Sequence, residues 1–141
     1  MLLKEKVDLE FLNDLGKNTM VNFLGIRITK IGHDFLEATM PVNERTKQPM
    51  GLLHGGANVV LAETLGSIAS SLVIDSKKQY CVGLEINANH LKSVKEGLVK
   101  GITRPIHIGK KTQVWEIKIF SEKEELTCIS RITMAVMDRK Q

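Results

Sequence analysis

Cysteine is scarce in this chain. Only Cys81 and Cys128 occur among 141 residues, and they form no Cys-x-x-Cys pair. That argues against a disulfide scaffold and a cysteine zinc site, and it fits reduced thiols in the cytosol. Long apolar runs are also missing. No stretch reaches the roughly 18 uninterrupted apolar residues that a membrane span needs. The start, MLLKEKVDLEFL, is acidic by its second turn and has no apolar core segment, so it does not read as a secretory leader. None of the four histidines stands at a metal-ligand spacing from another His or Cys, so no metal is expected. Low-complexity segments, internal repeats and linkers are absent too. What is left is a cytoplasmic globular protein.

A chain of this length is most simply one domain, 1–141, able to bury about two-thirds of its unfolded surface. With 43% hydrophobic and 26% charged residues, the composition is that of an ordinary soluble protein. The net charge of +4 is uneven. Met1 to Asn89 carries 9 Lys/Arg against 10 Asp/Glu, whereas His90 to Gln141 carries 11 against 6. A basic C-terminal third favours an anionic partner there: a phosphorylated small molecule, nucleic acid or a membrane surface. A merely solvated strand face is the competing reading.

Residues 7–15 space Leu9, Leu12 and Leu15 three apart, which predicts a short amphipathic helix closed by Gly16 in a left-handed cap. Leu24–Thr29 and Phe35–Val42 read as strands around the turn Gly32-His33-Asp34, a turn that exposes His33. Thr46 to Gly51 is a loop punctuated by Pro and Gly. A long helix then runs from about 55 to 74. Four β-rich segments follow: Tyr80–Leu91, Leu98–His107, Thr112–Phe120 and Leu126–Met137. Their short polar turns predict an antiparallel meander. The expected class is α+β, with five or six antiparallel strands wrapped around one long helix. Trp115, Ile117 and Ile119 alternate as core or interface residues.

The stretch LLHGGANVVLAETLGSIASSLVI, Leu52 to Ile74, concentrates the chemistry. Its helix is apolar nearly all round and so should be buried. Glu63 shares a narrow polar stripe with Gly56, Ser67 and Ser70. That stripe should face an interface or a ligand cavity, where a carboxylate suits acid, base or nucleophile work. A Glu emerging into solvent is the plainer alternative. His54-Gly55-Gly56 marks the helix start. There, unpaired N–H groups and the helix dipole could stabilise the oxyanion of an attacked carbonyl. A turn that needs only flexible glycines is the alternative. Gly55 and Glu63 stand eight residues apart, roughly 12 Å along a helix. One helix cannot bring both to one carbonyl, but two antiparallel copies can. A catalytic pair therefore implies at least a dimer with a two-fold axis.

Gln48, the segment from Gly51 to Gly56, Glu63 and Ser67 resemble the PaaI-like branch of the hotdog-fold acyl-CoA thioesterases. So do Gly83–His90 (GLEINANH), Pro105–Gly109 (PIHIG) and Gln113–Ile117 (QVWEI). The resemblance covers nearly the whole chain, and it is closest to the type acting on 1,4-dihydroxy-2-naphthoyl-CoA in quinone (menaquinone) synthesis. It implies that the Gly55 N–H polarises the thioester carbonyl, while Glu63 of a partner subunit attacks it or activates water. Gln48 and His54 would position the thioester, and Ser67 would stand beside Glu63. The coenzyme A site would use Val82, Gly83, His90, Leu91, Lys92 and Ser93. It would also use the turn of His107, Ile108, Gly109, Lys110 and Lys111. The lysines agree with the basic third found by counting.

The expected function is hydrolysis of an acyl-CoA thioester, with an aromatic acyl group favoured. No cofactor is expected, since CoA belongs to the substrate. A homo-oligomer is expected, a dimer at least and by resemblance a tetramer. A hotdog hydratase or dehydratase is the nearest alternative, although Glu nine positions after His54 suits hydrolysis better. A non-catalytic acyl-CoA sensor is another. With about 20 residues before the first strand there is no room for a helix-turn-helix, so nucleic acid is not expected as partner; without a spanning apolar run, neither is a membrane. Phe11, Leu15, Met20, Met50 and Val60 are assigned to the acyl cavity without a supporting pattern.

Overall fold

A computed structural model describes residues 7–140. Helix α1 (Leu9–Asp14) starts where the Asp8 carboxylate accepts from the Glu10 N–H, and it buries Leu12. Gly16 does not form the expected left-handed cap; the left-handed residue is Asn18, at φ 60°. The displacement has a cause one residue further on. Thr19 caps a further short helix, α2 (Met20–Phe23), by accepting from the Val21 N–H at 3.2 Å. Because Met20–Phe23 is helical, the first strand begins late, as β1 (Arg27–Ile31) rather than Leu24–Thr29. Gly25, at φ 75°, turns the chain between them.

Strands β2 (Leu36–Pro41), β3 (Gln79–His90), β4 (Leu98–Ile108), β5 (Thr112–Phe120) and β6 (Leu126–Asp138) complete one antiparallel sheet. Its order is β1-β2-β4-β5-β6-β3. The expected four-strand meander holds only for β4-β5-β6. Strand β3 lies beyond β6, in register from Gln79↔Asp138 to His90↔Cys128. The segment Lys95-Glu96-Gly97 is not a hairpin back onto β3, because the Val42 N–H donates to the Gly97 carbonyl at 2.8 Å and ties the loop to the end of β2. Strand β4 therefore pairs with β2.

Helix α3 (Gly55–Leu72) packs across the sheet against β2 to β6. Leu61, Ala62, Leu65 and Ala69 are fully buried against Trp115, Ile117, Ile119 and Ile132. Two glycines permit the close approach. A Cβ at Gly66 would fall 2.5 Å from Ile132 Cγ2, and one at Gly101 would fall 2.7 Å from Leu65 Cδ1. Ser70 Oγ (2.5 Å) and Trp115 Nε1 (3.0 Å) both donate to the buried Gln113 Oε1, fixing helix to sheet with polar groups satisfied. Among the described residues, strand β3 leaves one backbone edge unpaired and exposes Val82 and Leu84. No helix among the described residues is long and apolar enough to cross a membrane.

Candidate active site

The start of α3 is built by the loop before it. The His54 N–H donates to the Thr46 carbonyl and the Leu53 N–H to the Val94 carbonyl, both at 2.8 Å. Thr46 Oγ1 in turn donates to the Pro41 carbonyl at 2.8 Å. The loop is thus fastened to β2 on one side and to the His90–Val94 segment on the other. His54 is the N-cap, its Nδ1 accepting from the Gly56 N–H at 2.8 Å. In the neutral ring the proton then sits on Nε2, which can donate outward. The His54 cap engages the N–H groups of Gly56, Ala57 and Asn58. The Gly55 N–H is left at the cleft, in the region of positive helix potential. Gln48 Oε1 accepts from the Met50 N–H, so the carboxamide keeps its two N–H bonds for a ligand.

Gln48, Leu52, Gly55, Asn58 and the segment His90–Val94 line one cleft of about 310 Å³. The His90 ring lies over Gly55, and a Cβ there would stand 2.8 Å from His90 Nε2. Lys92 pairs with Glu125 at 3.0 Å, with both ends half exposed. Such a surface pair holds little energy and can yield to an anion.

Glu63 occupies a different cleft of about 450 Å³, shared with Ser67 and lined by Leu12, Leu15, Met20, Val60 and Ile68. In the single chain its carboxylate is exposed, with no ion pair among the described residues. Any burial must therefore come from a second body. Ser70, on the same predicted stripe, is instead fully buried and bonded to Gln113. The Glu63 carboxylate rests on Gly83 of β3, where an added Cβ would lie 2.9 Å from Oε1. Val82 beside it is exposed.

The turn Ile108, Gly109, Lys110, Lys111 lines a third cleft of about 640 Å³, together with Asp75, Gln79 and Asp138. The His107 ring folds over Gly109. One chain thus divides the sequence-selected residues among three places. Gln48, Gly55 and His90–Ser93 meet in the first, with His54 as its cap. Glu63 and Ser67 meet in the second, with Gly83 against the Glu63 carboxylate, and 108–111 stand in the third, with the His107 ring over Gly109. Of the residues assigned to an acyl cavity, Leu15, Met20 and Val60 line the Glu63 cleft, whereas Phe11 and Met50 do not. Sequence reasoning missed Asn58, which lies off the Glu63 stripe yet enters the first cleft. Among the described residues no group of three His, Cys, Asp or Glu is placed to hold a metal.

A six-stranded antiparallel sheet around one helix, with the helix start opening into a cleft, is the hotdog fold. The chain belongs to the Thioesterase superfamily, whose family model matches residues 50–128. It is 56% identical over 137 residues to the 1,4-dihydroxy-2-naphthoyl-CoA hydrolase of Escherichia coli (strain K12), covering 97% of this chain and 100% of that protein. A proofreading thioesterase of Cronobacter turicensis is 49% identical over 137 residues, 97% of this chain and 99% of that one. A crystal structure of a mutant thioesterase from Pseudomonas aeruginosa superposes with a TM-score of 0.97 at 48% identity, covering 99% of this chain and 100% of the other.

Proposed function

We propose that this protein hydrolyses an acyl-CoA thioester to the free acid and coenzyme A, with 1,4-dihydroxy-2-naphthoyl-CoA the first candidate among aromatic substrates. One observation carries the mechanism: Gly55 and Glu63 share α3 but open into different clefts. Eight residues separate them, roughly 12 Å, so each needs its complement from a second copy. Two α3 helices placed antiparallel bring Gly55 of one chain opposite Glu63 of the other. The open edge and exposed apolar residues of β3 supply a surface for that pairing. The proposed assembly is a homodimer at least, and a tetramer in its full form.

The thioester carbonyl then accepts from the Gly55 N–H, steadied by Gln48 and His54. Glu63, with Ser67 at its side, attacks the carbonyl carbon or takes a proton from the attacking water. Either route places negative charge on the carbonyl oxygen, where the helix start stabilises it. Collapse breaks the C–S bond and expels the thiolate; where Glu63 has attacked, this leaves an acyl anhydride on Glu63 that water then hydrolyses, and where water has attacked, the acid forms directly. In both routes one water supplies the oxygen of the acid and the proton of the thiol. The apolar cleft around Leu15, Met20 and Val60 suits an aromatic acyl group. Coenzyme A would lie along His90, Leu91, Lys92 and Ser93, reaching Val82, Gly83 and the turn 107–111 across the assembled chains. No metal or bound cofactor takes part. Two free thiols, Cys81 and Cys128, suit a cytoplasmic setting.

The 56% identity to a protein named for this substrate supports the choice of acyl group. A thiol-release assay over aromatic, short-chain and long-chain acyl-CoAs tests it, with aromatic thioesters expected to turn over fastest. Glu63→Gln is expected to lose at least ~10³-fold in kcat, with melting temperature and assembly unchanged. Turnover that survives Glu63→Gln would sink the mechanism.

A further inference from the structure

Asn58 stands three residues inside α3 from Gly55, roughly 4.5 Å along the axis. It is 5% exposed, it lines the Gln48–Gly55–His90 cleft, and its Oδ1 has no hydrogen-bond partner among the described residues. Its buried polar neighbours in the fold are satisfied: Thr46, Ser70, Thr103, Gln113, Thr127 and Ser130 all make side-chain hydrogen bonds. The other orphan among the described residues, Ser121 Oγ, follows β5 and lines none of the three clefts described above. An unpartnered buried carbonyl oxygen destabilises a fold, and an apolar side chain of the same shape would not. A stability cost in a binding cleft is the mark of a group whose partner arrives with the ligand.

We infer that Asn58 accepts a hydrogen bond from a neutral N–H or O–H donor of the bound acyl-CoA, and so sets substrate affinity at the helix start. The inference rests on the thioesterase reading. The donor has two sources. One is the amide N–H of the pantetheine arm, three atoms from the sulfur and running past His90–Ser93 when the carbonyl sits on Gly55. The other is a ring hydroxyl of an aromatic acyl group. A carbonyl oxygen repels phosphate, so Asn58 does not serve the nucleotide end of CoA.

The test compares the full-length parent with Asn58→Leu and Asn58→Asp on benzoyl-CoA and a hydroxybenzoyl-CoA. Asn58→Leu is expected to melt at or above the parent temperature while KM rises about tenfold and kcat stays within about twofold, the pattern of a lost binding contact. Asn58→Asp keeps an acceptor, in a helix turn that favours negative charge, and is expected to hold KM within about threefold. Equal losses on both substrates assign the donor to the pantetheine amide, and a loss confined to the hydroxylated substrate assigns it to the ring. An unchanged KM on both substrates overturns the inference. So does a fall in kcat alone that Asn58→Asp fails to restore, which would make Asn58 a brace for the helix. If the parent releases no thiol, the thioesterase reading fails separately. Calorimetric titration of benzoyl-CoA and hydroxybenzoyl-CoA then decides: about tenfold weaker binding of either to Asn58→Leu supports the acceptor role, and equal affinity for both removes it.

Discussion

Two glycines hold their places because of what a methyl group would touch. At Gly55 that neighbour is the His90 ring, and at Gly83 it is the Glu63 carboxylate. Neither residue has a positive φ, so alanine is acceptable to the backbone at both. The effect of substitution should therefore appear in chemistry rather than in folding. Gly83→Ala places a Cβ 2.9 Å from Glu63 Oε1, inside normal contact, and the carboxylate must swing aside. Misplacing a catalytic group by about 1 Å can cost ~10²-fold. Gly83→Ala is expected to lower kcat by about 10- to 100-fold with stability within about 0.5 kcal/mol of the parent. Steady-state kinetics and a denaturant midpoint check both halves, and full activity would show that the acid is not seated on β3.

At the scale of elements, α3 carries both halves of the proposed chemistry, and its depth in the sheet sets where they stand. Gly66 sets that depth. Gly66→Ala gains up to ~1 kcal/mol of helix propensity, but its Cβ would lie 2.5 Å from Ile132 Cγ2. Overpacking of this kind costs about 1–3 kcal/mol. A net loss of about 1–2 kcal/mol in a urea titration is expected, and a midpoint at or above the parent would refute the packing account. Much of this element was legible in the sequence, because its glycine pair and apolar run mark a start and a period. Strand β5 was legible to the residue, since Gln113, Trp115, Ile117 and Ile119 alternate and polar turns bound it. Helix α2 was not, because four residues are too few to show a helical period. The place of β3 was not either, since turn residues mark where a strand ends and not which neighbour it joins. That choice is made by a distant contact, Val42 to Gly97. Asn58 escaped notice for a related reason: its importance lies in a missing hydrogen bond, and no sequence pattern records that.

For the molecule as a whole, the two thiols tie stability to alkaline pH. Burial pushes both Cys81 and Cys128 above the ordinary thiol range; at Cys81 a hydrogen bond involving Ser70 opposes part of the rise. A raised thiol favours the protonated form in the folded state. Its contribution is fully present below the unfolded-chain value, about 8.5, and is lost as pH rises through the higher folded value. Urea midpoints of the parent should fall between about pH 8 and 10. Those of a Cys81→Ala, Cys128→Ala double variant should start lower and fall less steeply. Parallel curves would show that the thiols do not govern the alkaline limb.

The eight-residue step from Gly55 to Glu63 also has a genetic meaning. If every site takes its helix start from one chain and its acid from another, two dead variants can repair each other. Refolding Glu63→Gln with a Gly55→Val chain in equal amounts gives half mixed dimers. Each mixed dimer holds one site with both defects and one with neither. The mixture should recover about a quarter of parental activity although both parents are inert. No recovery in mixed dimers separated by distinct affinity tags would place both groups within one chain. With recovery, damage at the two ends of this short stretch complements like lesions in two different genes.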